Sequence, residues 1–230
     1  MIKASSGYRT DQLVVYRNAI EMETNDKAKW VLEQLLKNSY VANQCKSPLC
    51  DDTGIPHLFL EIGKNRSLDG GMIEAIYDGI KEGLRSLPGR PMAIKGNAIE
   101  RLEQTGGLDV DPGAVIPAPI FVKTIDQDLA RLYILMQGGG PEIRGRTHRV
   151  FHKHSMAVIV DEIVSWATEE VRKLGCTPCS VAIGIGRSHY EATSLMLEAM
   201  VKANFTIQNN IEEEITQRIN ESGVGPLGLG

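Results

Sequence analysis

The sequence predicts an α/β (α+β) fold, a mixed sheet flanked by several helices and gathered into a single domain over residues 1–230. Three observations point there. Short apolar runs of strand character are interspersed with long segments of helical periodicity. Hydrophobic content of 42% against 23% charged residues provides for a core of useful size. Aromatics are only 5% while glycines number 23, so that core is aliphatic and the turns are tight.

Taken in order, residues 11–22 place Leu13, Val14, Ala19 and Ile20 at helical spacing. Asn25-Asp26 reads as the N-cap of a second helix carrying Trp30, Val31, Leu35 and Leu36. Residues 38–48 read as a loop delivering Cys50, and residues 56–63 as a strand. Residues 69–87 form an amphipathic helix with Met72, Ile73, Ile76, Ile80 and Leu84 on one side. Pro88-Gly89-Arg90-Pro91 breaks the chain, and the middle that follows is irregular. Residues 120–125 and 129–136 read as strands, and Asp126-Gln127-Asp128 between them predicts a hairpin. Helical periodicity returns over Met156–Leu174 and is closed by Gly175. A short strand over 180–185 and helices over 189–203 and 206–221 follow, and the glycine-rich tail from Gly223 to Gly230 has no regular pattern.

The net charge of −4 leaves no basic surplus, which argues against coating nucleic acid. The start of the sequence lacks the apolar run of a signal peptide, and no run is long enough to span a bilayer. The expected setting is therefore cytoplasmic, with no membrane partner and with the four cysteines reduced or bound to metal rather than paired.

Chemistry concentrates at Cys50-Asp51-Asp52-Thr53-Gly54, where a thiol, two carboxylates, a hydroxyl and a glycine are adjacent. A thiolate is a soft ligand for iron or zinc, and a neighbouring acid and hydroxyl handle protons beside it. Two other stretches are candidates to close a site around it. Gln137-Gly138-Gly139-Gly140-Pro141 exposes backbone N–H groups suited to an anion, with Arg144 and Arg146 close behind. Cys176-Thr177-Pro178-Cys179 leads into Gly184-Ile185-Gly186-Arg187, a further close backbone approach with a guanidinium after it. Cys45, Cys50, Cys176 and Cys179 together supply four thiols, read either as a metal or cluster site, as a structural zinc, or as small buried side chains. His148, His152 and His154 read as histidines of a basic loop rather than as ligands.

These motifs together resemble the alpha subunit of iron–sulfur hydro-lyases, the class I fumarase and L(+)-tartrate dehydratase family. The resemblance runs from about residue 10 to the end. Cys50 to Gly54 is similar to the family's Cys-Gln-Asp-Thr-Gly, with Asp51 in place of glutamine. Cys176-Thr177-Pro178 and Ala182 to Gly186 are similar to its Cys-Pro-Pro and Val-Gly-Val-Gly-Ile. Lys95-Gly96-Asn97-Ala98-Ile99-Glu100 is similar to its Arg-His-Asn-Ala-Val-Glu, and residues 225–230 to its Gly-Pro-x-Gly-Leu-Gly. The triple glycine is shared, but the family's middle cysteine is replaced by Pro141 in one alignment and by Ile134 in another.

The resemblance implies a fold like the N-terminal domain of class I fumarases and a lyase that interconverts a small hydroxy-carboxylic acid and its unsaturated product plus water. It implies a [4Fe–4S] cluster on Cys50 and Cys176, with Cys45 or Cys179, or a partner chain, supplying the third ligand. Asp52 and Thr53 then carry the chemistry and Lys95 or Arg90 clamps a carboxylate, while Asp51, Asn97, Gly138, Gly139, Gly140, Arg146 and Arg187 line the substrate. It implies a beta subunit that completes the site, within a homo- or hetero-oligomer. Two alternatives stand beside it: a paralogue without the cluster that binds or regulates, and a zinc protein using the four cysteines.

Overall fold

The computed structural model describes residues 1–90 and 93–230; the chain break expected at Pro91 thus lies outside the described residues. In chain order the elements are α1 (Ile2–Ser5), α2 (Thr10–Met22), α3 (Asp26–Cys45), β1 (Ile55–Gly63), α4 (Gly70–Arg85), α5 (Ala98–Glu103), β2 (Phe121–Ile125), β3 (Ala130–Gln137), α6 (Gly139–Glu142), α7 (Met156–Leu174), α8 (His189–Lys202) and α9 (Asn210–Asn220). The expected mixed α/β character is present. Contacts gather into two compact units: one of residues Met1–Gly7 and Ser39–Glu142, the other of Tyr8–Asn38 and Ile143–Gly230.

The first unit is built on a three-stranded sheet in the order β2-β1-β3. β1 is parallel to β2, with Phe59 opposite Phe121, and antiparallel to β3, with Leu58 opposite Ile134. β1 takes the centre because both of its faces are covered. Leu58, Leu60 and Ile62 alternate on one face, and Leu58 packs with Ile80 and Leu84 of α4. On the other face the Phe59 ring stacks on Phe121 at 5.0 Å and meets Tyr133 edge-on at 5.6 Å. Glu61 lies buried on that face, accepting from Arg131 at 2.9 Å and from the Tyr133 hydroxyl at 3.2 Å.

Four expectations are corrected here. β2 and β3 do not form a hairpin, because β1 lies between them. Asp126-Gln127-Asp128 has none of the positive-φ residues that a tight hairpin turn requires. The connection instead crosses the end of β1, where Gly63 donates to Leu129 O at 2.8 Å and a Cβ would stand 2.5 Å from Gln127 O. Residues 38–45 are helical rather than loop, since α3 continues until Lys46 turns left-handed before Ser47-Pro48. The irregular middle contains α5, started by a reciprocal capping box between Asn97 and Glu100. The tail is not wholly irregular, for Pro226–Gly228 forms a turn of 3-10 helix.

The second unit is helical among its described residues. α7 and α9 pack through Val160, Ile163 and Ile215, with Ile183 against them. The strand expected over 180–185 is absent: the segment has no ladder partner and lies on α8 instead. A Cβ at Gly184 would fall 1.9 Å from Ala192 O, and one at Gly186 would fall 2.5 Å from Ala192 N. The two glycines therefore serve a helix contact.

Candidate functional site

In the first unit, the Cys50–Gly54 loop and the triple glycine are built as one structure. α3 ends at Cys45, and the Leu49 N–H donates to Ser5 O at 2.8 Å, which anchors the loop before Cys50. Gly54 has a φ of 88°, and a Cβ there would lie 2.4 Å from Gln137 O and 2.8 Å from Gly138 N. The loop backbone thus rests directly on the exit of β3, which only glycine permits. Gly138 mirrors this, since its Cβ would lie 2.7 Å from Asp52 Oδ2. With that space open, the Gly140 N–H donates to Asp52 Oδ2 at 3.3 Å. Gly139 begins α6, and the Glu142 N–H closes the turn on Gly138 O at 3.1 Å.

Two side-chain oxygens here are buried without a hydrogen-bond partner: Asp52 Oδ1 and Gln137 Oε1. An unpaired buried polar atom is costly, so each of these oxygens has something to gain from a polar partner. Arg90 arrives from the loop after α4. A Cβ at Gly89 would meet Thr53 Oγ1 at 2.3 Å, and the Arg90 guanidinium lies 3.3 Å from Asp51. Asp51, Asp52 and Thr53, which follow Cys50 in the chain, are thereby brought together with Arg90, Gly138 and Gly140. Lys95 is exposed, with its N–H on Gly107 O at 2.9 Å. The Asn97 side-chain oxygen accepts from Ile99 N and Glu100 N, so that oxygen serves the α5 cap.

His57 borders the glycine turn, a placement that the sequence did not single out. Its Nδ1 faces the Ile55 carbonyl at 3.1 Å, and because a carbonyl only accepts, Nδ1 carries the hydrogen. Nε2 then stands 3.7 Å from Glu142, the last residue of the glycine turn. The available signal was a histidine three residues after Gly54, within a strand that is otherwise largely apolar.

The second unit holds the remaining residues. Arg144 and Arg146 reach Glu170 at 3.8 and 3.7 Å, and Lys173 reaches it at 3.3 Å. Lys173 also pairs with Glu169, and this contact holds the Glu169 carboxyl below the usual carboxylate range. Arg187 is paired with Glu191 through two contacts of 3.1 Å, and the guanidinium holds that carboxyl low as well. His148 stacks on Trp166 at 3.9 Å, while His152 and His154 meet edge-on at 5.2 Å. Cys176 and Cys179 are exposed and unpaired. Although Cys179 keeps surface open, packing around its thiol pushes its pKa up. The nearby Tyr16 phenol is pushed up too, by burial and then by Tyr8, whose hydroxyl is 3.1 Å away.

An iron–sulfur cluster asks for soft thiolate donors with room around them. All four cysteines are free and exposed, so the donor chemistry fits. Cys45 and Cys50 belong to the first unit, Cys176 and Cys179 to the second. Among the described residues no group of three or more His, Cys, Asp or Glu side chains is arrayed to hold a metal ion. Among them also, no helix is long and apolar enough to cross a membrane.

Comparison with known proteins places these features. The provisionally named L(+)-tartrate dehydratase subunit alpha of Methanocaldococcus jannaschii is 27% identical over 231 residues, covering 93% of this chain and 77% of that one. The L(+)-tartrate dehydratase subunit alpha of Escherichia coli (strain K12) is 23% identical over 217 residues, covering 91% and 68%. The sequence model of the fumarate hydratase (Fumerase) family matches residues 1–230. With its Cys50 loop seated on a triple-glycine turn and that match running along its whole length, the chain belongs to the fumarate hydratase family.

Proposed function

We propose that the chain is the alpha subunit of an iron–sulfur hydro-lyase that interconverts a small hydroxy-carboxylic acid and its unsaturated product plus water. The observation that carries the reading is the seating of Asp52 on the triple-glycine turn beside Cys50, in a chain of the fumarate hydratase family. Cys50 and Cys176 are read as cluster ligands, with Cys45 or Cys179, or a partner chain, as the source of the third. A [4Fe–4S] cluster with one open iron, when bound, supplies a Lewis acid for the hydroxyl and carboxylate of the acid.

The chain's own residues are assigned the rest. Asp52 Oδ1, left unpaired while Oδ2 is tied to Gly140, is available to hold or pass a proton, with the Thr53 hydroxyl next to it. Arg90 sits in a charge pair with Asp51 that a substrate carboxylate exchanges for its own, so that Arg90, or else Lys95, clamps the carboxylate. Backbone N–H groups of Gly138 and Gly139 are assigned to charge that develops on the substrate, while the Gly140 N–H lines the site through its bond to Asp52. Arg146 and Arg187, both held by glutamates, complete the assignment to substrate, together with the side-chain NH2 of Asn97, whose oxygen is taken by the α5 cap. Residues 1–230 then form one alpha-type domain that works with a beta subunit in an oligomer. A cytoplasmic setting, which keeps the thiols reduced, belongs to the same reading.

Iron and acid-labile sulfide measured after strictly anaerobic purification, with zinc counted in the same sample, test this. Near-stoichiometric iron and sulfide are expected, and Cys50→Ala is expected to lose both, together with turnover of hydroxy acids in the presence of the beta chain. Wild-type iron and activity in Cys50→Ala would sink the assignment. Stoichiometric zinc without iron would replace it with a four-cysteine zinc site.

A further inference from the structure

The glycine-rich tail is bound to the loop that carries Cys176, and Thr177 holds it at two points. The buried Thr177 side chain donates from Oγ1 to the Gly225 carbonyl at 2.6 Å. The Thr177 carbonyl accepts from the Leu227 N–H at 3.1 Å. One bond fixes the side-chain rotamer and the other fixes the plane of the following peptide, so residue 177 has little freedom left. Cys176 is its immediate neighbour, with the two Cα atoms about 3.8 Å apart across a trans peptide.

The tail is itself braced. Gly228 N–H donates to Gly225 O at 3.3 Å, Leu229 N–H to Pro226 O at 3.1 Å, and Gly230 N–H to Val224 O at 3.2 Å. Pro226 is buried, and the Asn25 side chain donates to Leu229 O at 3.2 Å. Gly225 has a φ of 60°, and a Cβ there would lie 2.5 Å from the carbonyl carbon of Gly230. A glycine-rich segment without a role would be expected to fray, whereas here each turn is tied to the Cys176 loop or to itself.

We propose that residues 225–230 are a clamp on the Cys176 loop and that Thr177 is the positioning residue through which the clamp sets where the Cys176 sulfur is presented. This rests on the reading of Cys176 as a thiolate ligand. The clamp holds the loop through Thr177 and leaves the Cys176 residue exposed.

The test uses the full chain, reconstituted anaerobically with ferrous iron and sulfide. Three variants are compared with wild type: Thr177→Val, which keeps shape and removes the donor; Thr177→Ser, which restores it; and Gly225→Ala, which displaces the tail, and with it the acceptor of the Thr177 bond, without changing any residue of the loop. In Thr177→Val and Gly225→Ala, iron retained per chain should fall about fivefold or more, the size of one lost buried hydrogen bond. Hydrogen exchange at the Leu227 amide should rise by at least as much while exchange across α7 stays at the wild-type level, and Thr177→Ser should restore both. Wild-type iron retention and Leu227 protection in Thr177→Val would overturn the clamp. A wild-type chain that takes up no iron would overturn the ligand reading instead. Alkylation of Cys176 relative to Cys50 in the metal-free chain then decides the clamp: about a threefold change in Thr177→Val upholds it, and an unchanged ratio ends it. Should Thr177→Val fail to fold, Gly225→Ala carries the same readouts.

Discussion

Gly54 shows how one residue type makes the site. Its φ of 88°, and the mere 2.4 Å that would separate a Cβ from Gln137 O, leave no room for any larger residue. Gly54→Ala should therefore cost about 2 kcal/mol or more in urea unfolding, because the positive φ and the backbone collision add. It should also release the Gly140 amide to hydrogen exchange; a stable variant with Gly140 still protected would show that the loop does not depend on that seat. At this scale the sequence was informative where residue type and backbone demand coincide: Gly54, Gly138 and Gly140 stand out in it and are found in contact with the motif or its neighbours. It was silent on His57, because a histidine inside a strand announces neither its carbonyl partner nor Glu142. For Asn97 the same residue fits a cap and a substrate contact, and only the positions of Ile99 N and Glu100 N show the cap.

At the scale of elements, α4 is the support that the sheet leans on. Ile80 and Leu84 are 2% and 4% exposed and pack with Leu58 of β1, Ala93 and Val115. Ile80→Ala should cost about 2–5 kcal/mol, measured as a shift in the urea midpoint at unchanged slope. A loss well under 1 kcal/mol would mean that the core collapses around the gap. Long periodic segments such as α4 and α7 were legible because burial on one face writes a period into the sequence. Pairing was not. The two strand-like runs either side of Asp126-Gln127-Asp128 look adjacent along the chain, but β1 competes for both and wins through Phe59, Leu60 and Ile62. Residues 180–185 mislead for a related reason: an apolar run next to glycines signals burial, and burial against α8 satisfies it as well as a sheet does.

For the whole molecule, acid sensitivity follows from charges tied to backbone. Burial pushes the Asp11 carboxyl up, but the Phe205 N–H at 3.0 Å and the Arg9 guanidinium outweigh it and hold the pKa below the usual range. A depressed carboxyl contributes stability that is complete above the unfolded value of about 3.9 and is lost as pH falls through the folded value. Stability of the wild-type chain should thus decline below about pH 4. Asp11→Asn should lower stability at pH 7 by about 1 kcal/mol and flatten that decline. Parallel unfolding curves for the two proteins between pH 7 and pH 3 would remove Asp11 from the account. The family was legible from motif order alone, while the way its pieces bear on each other was not, since hydrogen bonds such as those from Thr177 to the tail join positions about 50 residues apart.

The central place of β1 has a consequence for the nascent chain. Its two partners lie more than 60 residues downstream, since Phe59 pairs with Phe121 and Tyr133. Through the synthesis of everything between, a nine-residue strand that ends up almost wholly buried has both hydrogen-bonding edges open. At about 5–20 residues per second that interval lasts several seconds, far longer than a strand needs to find a partner. Whatever shelters Leu58 to Ile62 in that window, a ribosome-bound chaperone or early packing on α4, sets how much of the protein reaches its folded state at all.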